Sequence, residues 1–100
     1  MKDLKIFYLE NCPYCRKAKA AWEELKTEDP GYGKVRIEWI EETRSPELAD
    51  RYDYYRVPSV FYGGEKLYEC DPGDDYAEIR RQIGKAVKTA ALAGQDKTGG

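Results

Sequence analysis

The residues best equipped for chemistry are Cys12 and Cys15, separated only by Pro13 and Tyr14. Two thiols in a C-x-x-C arrangement can form, break and exchange disulfides if one of them is held as a thiolate. The run Leu4-Lys5-Ile6-Phe7-Tyr8-Leu9 ahead of the pair is short, mostly apolar and partly aromatic, which suits a strand buried on both faces. From Pro13 onward, Ala18, Trp22 and Leu25 recur at helical spacing, with Ala21 beside them, so an amphipathic helix is expected to about Glu28. Cys12 then lies where a helix begins, and unpaired backbone N–H groups with the positive end of the helix dipole favour a thiolate there. It is the expected nucleophile. Cys15, one turn further in, is the expected resolving thiol. Arg16, Lys17 and Lys19 add positive potential nearby, and Glu10 opposes it.

Other uses of the pair are less well provided for. A structural zinc site needs about four ligands, whereas this chain has no histidine and one further cysteine, Cys70; no metal site is expected. Two ordinary buried cysteines remain an alternative, since free cysteine packs as a small hydrophobe. Cys70 itself reads most simply as a buried small residue, with a regulatory thiol as its alternative.

Val57-Pro58-Ser59 is a second informative segment. Proline entering a strand is tolerated at an edge, a bulge or a special turn. A cis bond before Pro58 would leave the Val57 N–H and C=O free to pair with an extended substrate.

The elements that must position these residues follow from periodicity and turn chemistry. Val35, Ile37 and Trp39 alternate with Arg36 and Glu38 as in a strand, and Ser45-Pro46-Glu47 opens a short helix expected to reach about Tyr54. Val57 to Tyr62 and Lys66 to Cys70 form two strands joined by a Gly63-Gly64 hairpin turn. Asp71-Pro72 reads as cap and first residue of the last helix, whose apolar face is Tyr76, Ile79, Ile83, Val87 and Ala90. The outcome is an α/β domain over residues 1–92, a mixed four-stranded sheet with three helices on its two faces, and a flexible C-terminal tail over 93–100. Tyr52, Tyr54 and Tyr55 are candidates for a peptide-binding rim near Pro58.

Composition narrows the partners. In 100 residues, 17 basic and 19 acidic side chains leave a net charge of −2 with no block of one sign, so nucleic acid is not an expected partner. Lys2, Asp3 and Lys5 interrupt any apolar leader, and no segment approaches the roughly 18 apolar residues of a membrane span. A cytoplasmic protein without membrane partners is expected, and a monomer.

Taken together, the strand, Cys12-Pro13-Tyr14-Cys15, Val57-Pro58 and Gly63-Gly64 resemble the glutaredoxin family of the thioredoxin superfamily over about residues 3–90. CPYC is the characteristic tetrad of that family. The resemblance implies a thioredoxin/glutaredoxin fold, a cis Pro58 facing the dithiol, and reduction of protein disulfides or glutathione mixed disulfides in cell redox homeostasis. It implies no tightly bound cofactor, glutathione as a co-substrate, and a reductase system as partner. Tyr14, Val57 and Pro58 become substrate-binding candidates. Leu9 stands where the family commonly has a lysine facing glutathione, and Asp71-Pro72 stands where it commonly has a Ser-Asp or Thr-Asp pair. Arg44 and Arg56 are candidate compensating cations. Electron supply from glutathione or from a flavoprotein reductase both stay open. The alternative function is an iron-sulfur cluster-binding dimer, against which Pro13 argues.

Overall fold

The structure is a computed structural model that describes the backbone of residues 3–98 and the side-chain surroundings of residues 3–93. It consists of β1 (Leu4–Tyr8), α1 (Pro13–Glu28), a single 3-10 turn (Tyr32–Lys34), β2 (Ile37–Glu41), α2 (Pro46–Ala49), β3 (Ser59–Tyr62), β4 (Glu65–Glu69) and α3 (Tyr76–Thr98). The strands form one mixed sheet in the order β2-β1-β3-β4. β1 runs parallel to β2, with Leu4 opposite Ile37 and Tyr8 opposite Glu41, and antiparallel to β3. Flanked on both edges, β1 buries Leu4, Ile6, Phe7 and Tyr8, as its apolar run requires.

Side chains alternate across the sheet and divide the core in two. Leu4, Ile6, Val60 and Tyr68 face α1 and α3, where Ala18, Trp22, Leu25, Ile79, Ile83 and Val87 complete the larger cluster. Ile79, Ile83 and Val87 have no exposed surface, and burial of each stabilises the docked α3 by about 1.5–3 kcal/mol. Arg80 adds a polar tie between the two helices, since it pairs with both Glu24 and Glu28 of α1. On the opposite face Phe7, Ile40 and Phe61 pack under α2 and the segment that follows it.

Three helix boundaries differ from expectation. α2 ends at Ala49, not near Tyr54, because the chain turns so that Tyr52 and Tyr54 can pack on Phe7, with ring centroids 4.9 Å away in each case. Those two tyrosines are therefore half-buried against this cluster, and of the expected rim Tyr55, 89% exposed, lies fully open. The β3–β4 hairpin turns through Gly63 and Gly64, at φ of 59° and 88°, as a type I′ turn demands; its ladder then shifts register between Val60 and Phe61.

α3 begins at Tyr76, so Pro72 is not its first residue. Asp71 to Asp74 instead form a separate turn closed by a 3.0 Å hydrogen bond from the Asp74 N–H to the Asp71 carbonyl, with Gly73 at φ 96°. That pattern, proline followed by a left-handed glycine, is a type II turn. Asp75 caps α3, its carboxylate accepting the Glu78 N–H at 2.9 Å. At the other end helical backbone continues to Thr98, into the stretch read as a tail; residues 99 and 100 lie outside the described residues.

Candidate functional site

Cys12 is the N-cap of α1, in extended backbone conformation (φ −82°, ψ 123°), and Pro13 occupies the first turn. Proline fits there because its missing N–H would have had no helical partner. The Cys12 side chain is half-buried and points at the cis-proline loop, where its sulfur lies 3.9 Å from the Val57 carbonyl oxygen. The Val57–Pro58 bond is cis. Among the described residues the Val57 N–H has no hydrogen-bond partner.

Cys15 lies behind, 2% exposed, with its sulfur accepting the Leu9 N–H at 3.5 Å. Burial pushes its thiol up to about 12; the Leu9 N–H works against this and the neighbouring Cys12 works with it. The two thiols thus differ in setting: Cys12 is half-buried at a helix start, and Cys15 is sheltered and protonated at neutral pH.

The loop that delivers Cys12 is fixed from below by Glu41. This carboxylate ends β2 at a position sharing the parity of Ile37 and Trp39, and is 8% exposed. It accepts the Glu10 N–H at 3.2 Å, the Thr43 N–H at 2.7 Å, the Arg44 N–H at 3.2 Å and the Thr43 hydroxyl. The Thr43 hydroxyl, against the cost of burial, holds it below the usual carboxylate range, and the three N–H groups act in the same direction. Sequence reading missed Glu41, although a carboxylate on the inward face of a strand was a legible signal.

Tyr14 is half-buried and extends from the dithiol to the Asp71–Asp74 turn, where its phenolic oxygen accepts the Gly73 N–H at 3.1 Å. Asp74 is likewise engaged, accepting the Tyr68 hydroxyl at 2.7 Å and the Asp71 N–H at 3.0 Å. Cys70, 2% exposed, takes the buried reading expected of it; its N–H donates to the Pro58 carbonyl at 3.0 Å, anchoring the cis proline to the end of β4.

The cations are distributed differently from expectation. Lys19 sits over the Tyr8 ring at 3.9 Å and Lys17 over the Tyr14 ring at 5.5 Å. Arg44 is engaged by Glu10 at 2.6 Å, whereas Arg56 makes only a 3.8 Å approach to Asp71 and is 56% exposed. Among the described residues no group of three or more histidine, cysteine or acidic side chains is arranged to hold a metal ion, and no helix is long and apolar enough to cross a membrane.

A mixed four-stranded sheet with a C-x-x-C at the start of its first helix and a cis proline opposite is a thioredoxin-type arrangement, and solved structures agree. A point mutant of a thioredoxin from Halobacterium salinarum superposes with a TM-score of 0.56 over 86% of this chain and 74% of its own, at 20% identity. The germline-specific thioredoxin Deadhead of Drosophila melanogaster gives 0.58 over 84% and 79%, at 19% identity. Sequence resolves the family: residues 4–67 match glutaredoxin, and the chain belongs to the glutaredoxin family. It is 35% identical to Glutaredoxin-C8 of Oryza sativa subsp. japonica over 71 residues, which is 69% of this chain and 52% of that protein. It is 32% identical to Glutaredoxin-1 of Rhizophagus irregularis over 66 residues, 66% of this chain and 64% of that protein. The chain thus spans between about half and two-thirds of the length of the curated relatives it matches.

Proposed function

We propose that the protein is a thiol-disulfide oxidoreductase that reduces disulfides of proteins, and mixed disulfides with glutathione, through Cys12 and Cys15. One observation carries the reading. The Cys12 thiol stands at a helix N-terminus against the open backbone of Val57 while Cys15 is buried behind it. Membership of the glutaredoxin family supports the same class of chemistry.

In the first step the Cys12 thiolate attacks one sulfur of the substrate disulfide. A Cys12–substrate disulfide forms and the other half departs as a thiolate. In the second, the Cys15 sulfur attacks Cys12, its proton passing to the second departing thiolate, and the Cys12–Cys15 disulfide remains. Two electrons have moved from the protein to the substrate. An external thiol reductant, glutathione or a flavoprotein-fed dithiol, returns them. Val57 pairs with an extended substrate through its N–H and C=O, and Tyr14 borders the same cleft.

Single-turnover reduction of a cysteine-bridged peptide by the pre-reduced protein tests the reading. Cys12→Ser should lose at least about a hundredfold in rate, as loss of the nucleophilic thiolate requires. Retention of the wild-type rate would overturn it.

A further inference from the structure

We infer that Glu69 is a positioning residue that sets the substrate-pairing segment in front of Cys12, an inference that rests on the reading of Val57 as the backbone partner of a peptide substrate. Glu69 is the last residue of β4, opposite Ser59 in the ladder. Its side chain is 17% exposed and turns away from the sheet toward the loop that precedes the cis proline. There one carboxylate oxygen accepts two consecutive backbone N–H groups, that of Tyr55 at 2.9 Å and that of Arg56 at 2.8 Å. The other oxygen is held by the Lys66 ammonium at 2.7 Å.

Each part of this arrangement bears on Val57. Charge-assisted bonds to two successive N–H groups fix the local path of the chain far better than one bond would, and Val57 is the next residue. The neighbour of Glu69, Cys70, donates its N–H to the Pro58 carbonyl. Residues 69 and 70 therefore grip 55–58 from one strand end, Glu69 by its side chain on the upstream side and Cys70 by its backbone on the downstream side. Val57 lies between the two grips with its N–H unpaired among the described residues and its carbonyl directed at the Cys12 sulfur. The Tyr55 and Arg56 N–H groups, once used by Glu69, cannot compete for a substrate carbonyl, so the register of pairing is confined to Val57. A disulfide with no peptide backbone has no use for this alignment.

The test separates reach from charge. Glu69→Asp keeps the carboxylate but withdraws it by one methylene from the two N–H groups; Glu69→Gln keeps an oxygen at the right distance and loses the charge. Single-turnover rates are measured for the pre-reduced full-length proteins with a cysteine-bridged peptide and with 2-hydroxyethyl disulfide, which has no backbone. For Glu69→Asp the ratio of peptide rate to small-disulfide rate should fall about tenfold, the loss expected for weakening two hydrogen bonds to a charged acceptor. For Glu69→Gln, which keeps both bonds as neutral ones and loses the Lys66 partner, it should fall by about threefold, less than for Glu69→Asp. A role in folding alone would slow both substrates in parallel, and a purely electrostatic role would invert the order of the two variants. Either result, or a ratio unchanged in Glu69→Asp, overturns the inference. If instead the wild-type protein shows no preference for the peptide, it is the pairing role of Val57 that fails.

Discussion

The Cys12 sulfur and the Val57 carbonyl oxygen, 45 residues apart in sequence, meet at 3.9 Å across the mouth of the site. The contact joins the N-cap of α1 to the loop that carries the cis Val57–Pro58 bond. In the mechanism proposed above, a peptide disulfide that reaches Cys12 runs along Val57.

Alkaline stability should report the burial of Cys15. Its thiol is pushed up to about 12 by burial, whereas an unfolded cysteine titrates at about 8.5. The folded state therefore retains a proton that the unfolded state loses. The resulting stabilisation is fully present below the unfolded value and disappears as pH rises toward about 12. Cys15→Ser should flatten the decline of the thermal midpoint between about pH 8.5 and pH 11. Cys70, Tyr54 and Tyr68, also raised by burial, account for the slope that remains. An undiminished slope in the variant would contradict this assignment.

Glu41 should behave in the opposite sense. Its carboxyl is held low in the folded protein, so its contribution is present above the unfolded carboxylate value of ~4.3 and is lost as pH falls through the folded one. Glu41→Gln should lower the thermal midpoint at about pH 7 and lose less on acidification to about pH 3 than wild type does. Glu24, Glu69 and Glu78, likewise held low, supply the rest of the acid dependence. Parallel acid limbs for the variant and wild type would rule Glu41 out.

Local chemistry made much of this architecture legible in the sequence. Pro13 after Cys12 marked a helix start, the Gly63-Gly64 pair marked a hairpin, and the spacing of Ala18, Trp22 and Leu25 marked the buried face of α1. Where two local solutions competed, tertiary context decided. Asp71-Pro72 and Asp75-Tyr76 both make acceptable helix starts, and Gly73 at φ 96° terminates the first as a turn. Tyr52 and Tyr54 carry polar tips that suit a surface rim, yet their rings complete a cluster with Phe7 and Phe61. Glu41 left a trace in strand parity. Glu69 left none, because its partners lie 13 and 14 residues upstream on a loop whose path only the folded chain defines.

Tyr14→Phe isolates the bond between the dithiol helix and the Asp71–Asp74 turn. The ring and its packing remain while the acceptor for the Gly73 N–H is removed. The expected cost is about 0.5–1.5 kcal/mol, toward the lower end because water can replace an exposed bond. Denaturant unfolding should show a lowered midpoint at constant slope. No change in midpoint would mean that the bond contributes nothing in solution.

Gly84→Ala should stabilise the protein. Gly84 lies in the middle of α3, and an added Cβ would stand 3.7 Å from the nearest carbon of Leu25, an ordinary van der Waals contact. Alanine gains up to about 1 kcal/mol over glycine in a helix interior. The midpoint of unfolding should rise. A decrease would show that α1 and α3 pack more tightly at this crossing than the contact with Leu25 implies.

The central claim is that Cys12 attacks and Cys15 resolves, and trapping the intermediate tests it most directly. Cys15→Ser, pre-reduced and mixed with a cysteine-bridged peptide, should accumulate a one-to-one adduct that peptide mapping by mass spectrometry places on Cys12. An adduct located on Cys70, or the absence of any adduct under conditions in which the wild-type protein reduces the peptide, would contradict the account.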